Sequence, residues 1–371
     1  MESRLRRASP NHGACGLMTM ASLQSAGPPA VSVLAQHVSD HLSVFVVAES
    51  SDTGKPANGG LRLLNYSSDE ACIADGHRLA SLMTHKHDLY GTGFAGGKIV
   101  ARAAEPGAVK DELINVTAEL LQSLNGAMIT GCDLNTSLQD MERLMSLTPH
   151  VLAAVGSPVD ASAATAFGTV GAVEAVLAQS LTEAKPGKAL VHGCGAVGGT
   201  VAKTLIQHGW DVFTVDMDPK RAGLSGATPL PPSSAWWEQE LDLLLPCSIS
   251  GLIDPEMARS FQVRAIVPAA NAPFQEPEIA DDLRRRSIRV LPDPLVNAGA
   301  VIADSIERFS PEAWGKATPQ QVYDFVRHEV RQRATDFLKQ RGDGLTVSDA
   351  LVEVAAHTGK DPIGLSFGIA A

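Results

Sequence analysis

The chain has no Cys-x-x-Cys pair, no excess of positive charge and no unbroken run of 18 apolar residues. Each absence closes off a class of protein. Its five cysteines, Cys15, Cys72, Cys132, Cys194 and Cys247, are scattered and odd in number. Neither a zinc ribbon nor a disulfide framework is indicated, so no metal is expected. Reduced thiols fit a cytoplasmic setting. Acidic residues outnumber basic ones, 41 against 30, for a formal charge of −11. A nucleic acid or an anionic bilayer calls for the opposite sign, so neither is an expected partner. Without a long apolar run, no membrane span is predicted. Arg4, Arg6 and Arg7 imitate the start of a signal peptide, but no apolar segment follows them. Residues 1–30 read as a disordered extension.

What is present suits a large α/β protein. Hydrophobic residues make up 44% and charged residues 19% of 371 positions, enough to bury a substantial core. At about 150 residues per domain, the length suggests two. The stretch from Val31 to Ala48 has the short apolar runs of strand, and TGKPANGGLRLL is a turn-rich loop entering a strand. Ser67 to Glu70 reads as a capping box opening a helix that runs out near Thr84. A Gly-rich stretch, a strand, a helix over 110–124 and a strand-then-loop (GAMITGCDLN) follow. After Ser157 the texture changes to one long helix of small residues, then strands alternating with helices, the pattern of a parallel sheet covered on both faces. The expected division is a first domain over 31–155, completed by C-terminal helices from 335 to 371, and a nucleotide-binding domain over 156–334.

Gly193-Cys194-Gly195-Ala196-Val197-Gly198 has the spacing of a dinucleotide loop, and its context matches. A strand precedes it, a helix follows, and Asp216 ends the next strand about 20 residues on. The glycines allow a tight turn and close backbone approach, so that a pyrophosphate meets the N–H groups at the helix start. Asp216 would accept from the ribose hydroxyls and repel a 2′-phosphate, which favours NAD. Lys220 and Arg221 nearby keep NADP open as the lesser alternative. The competing reading is a structural glycine turn.

Lys86 and Lys98 lie in MTHKHDLYGTGFAGGK, and Asp133 in ITGCDLNT. Taken singly, each has an ordinary reading, the lysines as solvated surface charges and the aspartate as a turn former. Together with PANGGLRL, RLASLMTHKH, GFAGGK, CDLNT, ATAFG, LLPCSISGLI, AANAP and PDPLVNAGAVI in this order, the chain resembles the glutamate/leucine/phenylalanine/valine dehydrogenases, nearest the leucine type. The resemblance spans roughly residues 40–345.

That resemblance implies a substrate-binding α/β domain and a Rossmann-type NAD-binding domain with a cleft between them, in a homodimer or larger homo-oligomer. It implies reversible oxidative deamination of an L-amino acid to a 2-oxo acid and ammonia. Lys86 would hold the substrate carboxylate, Lys98 would activate water, and Asp133 would be the acid–base partner. Gly59 and Gly60 would line the pocket. Thr165, Asn271 (or Ala272) and Asn297 would stand near the nicotinamide and the substrate. The physical logic agrees, because a desolvated lysine beside a second cation loses its proton more readily. Side-chain specificity falls at Asn58, Gly131, Val301 and Asp304. Asn58 matches neither the aliphatic nor the lysine version, and Asp304 would repel a γ-carboxylate. The expected substrate is therefore not glutamate, and is polar, basic or indole-bearing. The alternatives are an apolar amino acid, with Asp304 paired to Arg308, or an NAD(P)-dependent imine or oxo-acid reductase on the same scaffold.

Overall fold

The computed structural model describes residues 31–49, 54–180, 186–340 and 346–368; the N-terminal extension and Cys15 lie outside them. The chain divides into two compact units. Unit 1 comprises residues up to Asp88 and Thr92–Gly156, and unit 2 comprises Leu89–Gly91 and Ser157 onward.

In unit 1 the apolar runs of the N-terminal stretch form two antiparallel strands, β1 (Val31–Val38) and β2 (Ser43–Glu49). The turn between them is held by the Ser39 hydroxyl, which donates to the Leu42 carbonyl. After β3 (Ala57–Asn58) and β4 (Leu61–Leu64) comes helix α1 (Asp69–Tyr90), then β5 (Ala95–Arg102), α2 (Lys110–Ser123), β6 (Met128–Ile129) and α3 (Leu138–Leu147). The sheet runs β1-β2-β5-β3-β6, with β4 also on β5. β3 and β4 lie end to end along β5, parallel to it. Asn58 is opposite Gly96 and Leu61 opposite Ile99, so the break at Gly59-Gly60 faces Gly97 and Lys98.

Alternation divides the strands between two cores. Val44, Val46, Leu61, Leu63, Ile99 and Ala101 join Leu113, Leu121, Met141 and Leu144 of α2 and α3. Phe45, Val47 and Val100 join Cys72, Leu79 and Ala80 of α1. Each such side chain stabilises the fold by about 1.5–3 kcal/mol, before the entropy of ordering it. Arg62 and Lys98 share the parity of Val100 and so lie on the α1 side.

Two local expectations are corrected. The cap of α1 is Ser68 rather than Ser67, for its hydroxyl accepts the Ala71 N–H. The helix does not end near Thr84. No breaker intervenes before Gly91, whose positive φ of 57° stops it, so Lys86 stands on a helix and not in a Gly-rich loop.

Unit 2 begins with α4 (Ala161–Ser180) and continues as β7 (Lys188–His192), α5 (Ala196–Gln207), β8 (Asp211–Val215), α6 (Pro219–Ala222), β9 (Ala227–Pro229), β10 (Glu240–Pro246), α7 (Pro255–Ser260), β11 (Gln262–Ile266), α8 (Glu278–Arg285) and β12 (Arg289–Val290). Helices α9 (Asp293–Val296), α10 (Gly299–Phe309), α11 (Pro311–Lys316), α12 (Pro319–Lys339) and α13 (Val347–Ala356) complete it. The sheet is parallel throughout, in the order β12-β11-β10-β7-β8-β9. The chain crosses sides between β7 and β10, which makes a switch point at the carboxyl ends of those strands.

α4 is long and apolar enough to cross a membrane, yet 56% of it is buried within the molecule. Its small residues admit α12 at close range. A Cβ on Gly171 would lie 2.2 Å from the Arg327 carbonyl oxygen, and the Phe167 and Tyr323 rings stack at 5.1 Å. The described C-terminal residues group with Leu89–Gly91 in unit 2, where the Thr358 hydroxyl donates to the Leu89 carbonyl and the Ile363 N–H to the Gly91 carbonyl.

Candidate active site

In unit 1 the residues singled out by sequence converge on the strand break. Gly59 and Gly97 touch backbone to backbone, for a Cβ on Gly59 would fall 1.7 Å from the Gly97 carbonyl oxygen. A Cβ on Gly60 would meet the Cys132 carbonyl at 2.6 Å, and one on Gly131 the Leu152 carbonyl at 2.4 Å. At these three glycines main chain packs directly on main chain. α1 descends onto it at Gly96, where a Cβ would lie 2.1 Å from the Thr84 hydroxyl. Two residues past Thr84 on one chain segment and two past Gly96 on the other stand Lys86 and Lys98, both buried.

Lys98 and Asp133 meet directly, with Nζ 2.6 Å from Oδ2. Burial is the largest influence on Lys98 and holds its proton affinity below the usual lysine value; the Asp133 carboxylate works against it, and Arg62 adds to the lowering. Burial by itself would raise Asp133, but the Lys98 ammonium and the Arg62 guanidinium outweigh it and hold the carboxyl well below the usual range. The Asp133 loop is stitched to β4. Its backbone N–H donates to the Thr136 hydroxyl, which donates to the Leu61 carbonyl, and the Asn135 side chain donates to the Leu63 carbonyl. Lys86 is braced through its neighbour. The His87 ring meets the Thr92 hydroxyl at 2.7 Å and the Asn58 carbonyl at 3.3 Å, and burial pushes its pKa down to about 3. His87 is thus neutral beside the Lys86 ammonium. Asn58 is itself buried.

In unit 2 the glycine loop follows β7. Gly193 has φ +92°, and a Cβ on Gly198 would lie 1.9 Å from its carbonyl oxygen, which closes the loop onto α5. Gly195 opens that helix with no side-chain cap, and a Cβ there would meet nothing within 4 Å. Cys194, Ala196 and Val197 complete the turn. Asp216, just beyond β8, accepts the Cys194 N–H at 2.7 Å through Oδ2 and the Asp218 N–H at 2.8 Å through Oδ1. Uncapped helix amides behind a bare loop, with a carboxylate at one side, fit a dinucleotide pyrophosphate and ribose. The Asn297 side chain donates to the Ala269 carbonyl and to Asn271 Oδ1. Gly299 lies against Thr165, where a Cβ would be 2.6 Å from its Cα. Val301 is buried and Asp304 half-buried on α10.

The expected set thus falls into one cluster in unit 1 (Asn58, Gly59, Gly60, Lys86, Lys98, Gly131, Asp133) and two in unit 2 (193–198 with Asp216; Thr165, Asn271, Asn297 and α10). Sequence reasoning passed over Arg62, Asp75 and Tyr66, which are linked to Asp133. Their only signal was a charged residue in the alternating run Leu61-Arg62-Leu63. It also missed His192, whose ring meets the Ser248 hydroxyl at 2.8 Å beside the glycine loop and tilts against Trp236 at 4.7 Å.

Residues 36–150 match the family model "Glu/Leu/Phe/Val dehydrogenase, dimerisation domain" and residues 219–358 match "Glutamate/Leucine/Phenylalanine/Valine dehydrogenase". A phenylalanine dehydrogenase of Caldalkalibacillus thermarum is 31% identical over 280 residues, 72% of this chain and 75% of that protein. A valine dehydrogenase of Streptomyces virginiae is 30% identical over 346 residues, 89% and 93% respectively. The crystal structure of L-tryptophan dehydrogenase from Nostoc punctiforme superposes with TM-score 0.70 at 25% identity, covering 85% of this chain and 91% of that one. The chain belongs to the glutamate/leucine/phenylalanine/valine dehydrogenase family and is an oxidoreductase acting on the CH–NH2 group of an amino acid.

Proposed function

We infer that the chain catalyses the NAD-dependent oxidative deamination of an L-amino acid whose side chain carries a hydrogen-bond donor, and the reverse amination. The observation that carries the chemistry is the 2.6 Å contact between Lys98 and Asp133. Lys86 holds the substrate carboxylate and so fixes Cα. Asp133, held ionised, receives the substrate ammonium and takes its proton. NAD held by the 193–198 loop and Asp216 would supply the acceptor for the Cα hydrogen and its electron pair. Lys98, poised by burial to give up its proton, takes one from the water that adds to the iminium carbon. Asp133 returns a proton to the nitrogen and then takes the carbinolamine hydroxyl proton, so that ammonia leaves as the carbonyl of the 2-oxo acid forms. The site thus combines two cations and one carboxylate, and general acid–base assistance of this kind is worth about 10²–10⁴-fold.

NAD is favoured over NADP by the carboxylate of Asp216 at the ribose position. For the side chain, Asn58 is a buried polar group and Asp304 a half-buried acid. An acid at a specificity position repels the γ-carboxylate of glutamate and favours a side chain that is basic or donates a hydrogen bond. Basic or indole-bearing substrates therefore fit, and glutamate does not. The likeness to an L-tryptophan dehydrogenase supports the indole class. Absorbance of NADH, followed across the twenty L-amino acids and ornithine with NAD and NADP, tests this reading. A basic or tryptophan substrate should outpace leucine, and leucine as clear winner would remove the donor requirement. We also infer a homo-oligomer assembled through unit 1. That region matches a dimerisation domain, and β1, at the end of its sheet, exposes Leu34 and Val38.

A further inference from the structure

Asp133 is gripped from two directions. Besides Lys98, Arg62 donates through Nε to Oδ2 at 2.8 Å and through a terminal nitrogen to Oδ1 at 3.4 Å. The other terminal nitrogen of Arg62 reaches Asp75 on α1 at 3.2 Å. Asp75 in turn accepts from the Tyr66 hydroxyl at 2.7 Å and from Arg78 at 2.8 Å. The side chains of Arg62, Asp75 and Asp133 are each less than one fifth exposed, so these contacts are largely shielded from water. The result is a row of alternating charges, Lys98, Asp133, Arg62, Asp75 and Arg78, which begins at the acid–base pair and ends at the surface.

We propose that Arg62 is a positioning residue of the deamination site, fixing the Asp133 carboxylate in one orientation and sharing its negative charge so that Lys98 can release a proton. The proposal rests on the roles given above to Lys98 and Asp133. Its logic has two parts. A planar guanidinium that spans both carboxylate oxygens sets the carboxyl plane, which a single ammonium cannot do. A carboxylate that serves two cations also binds each less tightly than it would bind one. The charged groups facing Lys98 are Asp133, Arg62 and Asp75, and burial together with Arg62 offsets the hold of Asp133 on the lysine proton. The outer anchor has its own reason. Arg62 is substantially buried and carries one charge toward Asp133, so Asp75 supplies the second acceptor that a buried guanidinium needs. The Tyr66 hydroxyl completes the Asp75 carboxylate, and burial followed by that hydrogen bond keeps the phenol protonated as a donor.

The roles predict a kinetic signature. In Arg62→Gln, Lys98 becomes the only cation on Asp133 and holds its proton to higher pH. Deamination needs the neutral amine, so the acid limb of the kcat/KM profile moves to higher pH. kcat falls by about 10- to 100-fold from the lost orientation, while KM for the amino acid, set mainly at Lys86, changes little. NADH binding, followed by its fluorescence, stays as in the parent. Arg62→Lys keeps the charge but not the planar fork, so its acid limb stays near the parental position while kcat remains reduced. Asp75→Asn leaves Arg62 in place without its outer anchor, and gives a smaller loss of kcat. It stands as the test should Arg62→Gln fail to fold by thermal melting. An unmoved acid limb in Arg62→Gln, whatever the size of the activity loss, would reduce Arg62 to a structural residue and overturn the proposal. Lys98→Ala separates the two readings. Turnover lost in Lys98→Ala with an unmoved limb in Arg62→Gln refutes the Arg62 role alone, whereas turnover that survives Lys98→Ala refutes the reading of the site beneath it.

Discussion

Asp216 and Cys194 are joined by a 2.7 Å hydrogen bond from the Cys194 N–H to Oδ2 of the carboxylate, which ties the end of β8 to the glycine loop after β7. The acid that would discriminate the ribose therefore also braces the turn that would cradle the pyrophosphate. Specificity for the nucleotide and the shape of its loop share one side chain.

Replacing that acid separates the two effects. Asp216→Ser removes the charge that repels a 2′-phosphate and loosens the Cys194 turn. The ratio of kcat/KM for NAD to that for NADP should fall by at least about tenfold, which corresponds to about 1.4 kcal/mol. Steady-state kinetics with both nucleotides gives the ratio, and an unchanged value would show that Asp216 acts on the loop alone.

Lys98→Ala and Asp133→Asn should each lower kcat by about 10²–10⁴-fold with NADH affinity nearly unchanged. The two losses should be far from additive, because the side chains touch and act as a unit. A double variant whose loss equals the product of the singles would mean that they act independently.

His87 should make the fold sensitive to acid. Its folded pKa is pushed down to about 3 from an ordinary 6.5, chiefly by burial. Between those values the unfolded chain binds a proton that the folded one excludes, so stability is full above about pH 6.5 and declines as pH falls toward 3. By pH 4 the loss from this residue is on the order of 3 kcal/mol. Melting curves from pH 7 to pH 4 should show a shallower decline for His87→Gln, although that variant starts from a lower Tm.

Two glycines predict opposite kinds of damage. Gly59→Ala would drive a Cβ into the Gly97 carbonyl, an overlap that neither backbone can relieve, and should cost about 3 kcal/mol or more of stability. Gly195→Ala meets open space. It should keep the urea midpoint of the parent but weaken nucleotide binding, since the new methyl stands where a pyrophosphate must approach. Denaturation and NADH titration on both variants separate the cases.

The legibility of all this from sequence varied with the range of the cause. The strands of unit 2 were visible because a strand buried on both faces is a short apolar run bounded by turns, as in LDLLLP and VRAIV. Lys98 and Asp133 stood out through order and spacing, and their contact follows from Leu61, which pairs with Ile99 of β5 on one side and bridges Cys132 on the other. The full length of α1 was not legible, because a Lys and two His residues interrupt its apolar pattern although nothing breaks the helix. Arg62 was hidden for a different reason. Its partners, Asp75 and Asp133, are 13 and 71 positions away; the packing of α1 brings the first to it, and the stitching of the Asp133 loop to β4 brings the second. The close packing of α12 on α4 was hidden likewise, since the small residues of α4 that admit it are indistinguishable in sequence from any other apolar face.

The meeting of Gly59, Gly60, Gly97 and Gly131 limits how this enzyme can be remodelled. Main-chain atoms there have no substituents to exchange, so selection cannot resize that wall one methyl at a time. Adaptation to a new substrate has to proceed through the flanking positions that do bear side chains. The same scaffold can then diverge widely in what it accepts while the main chain around Lys98 and Asp133 keeps its contour.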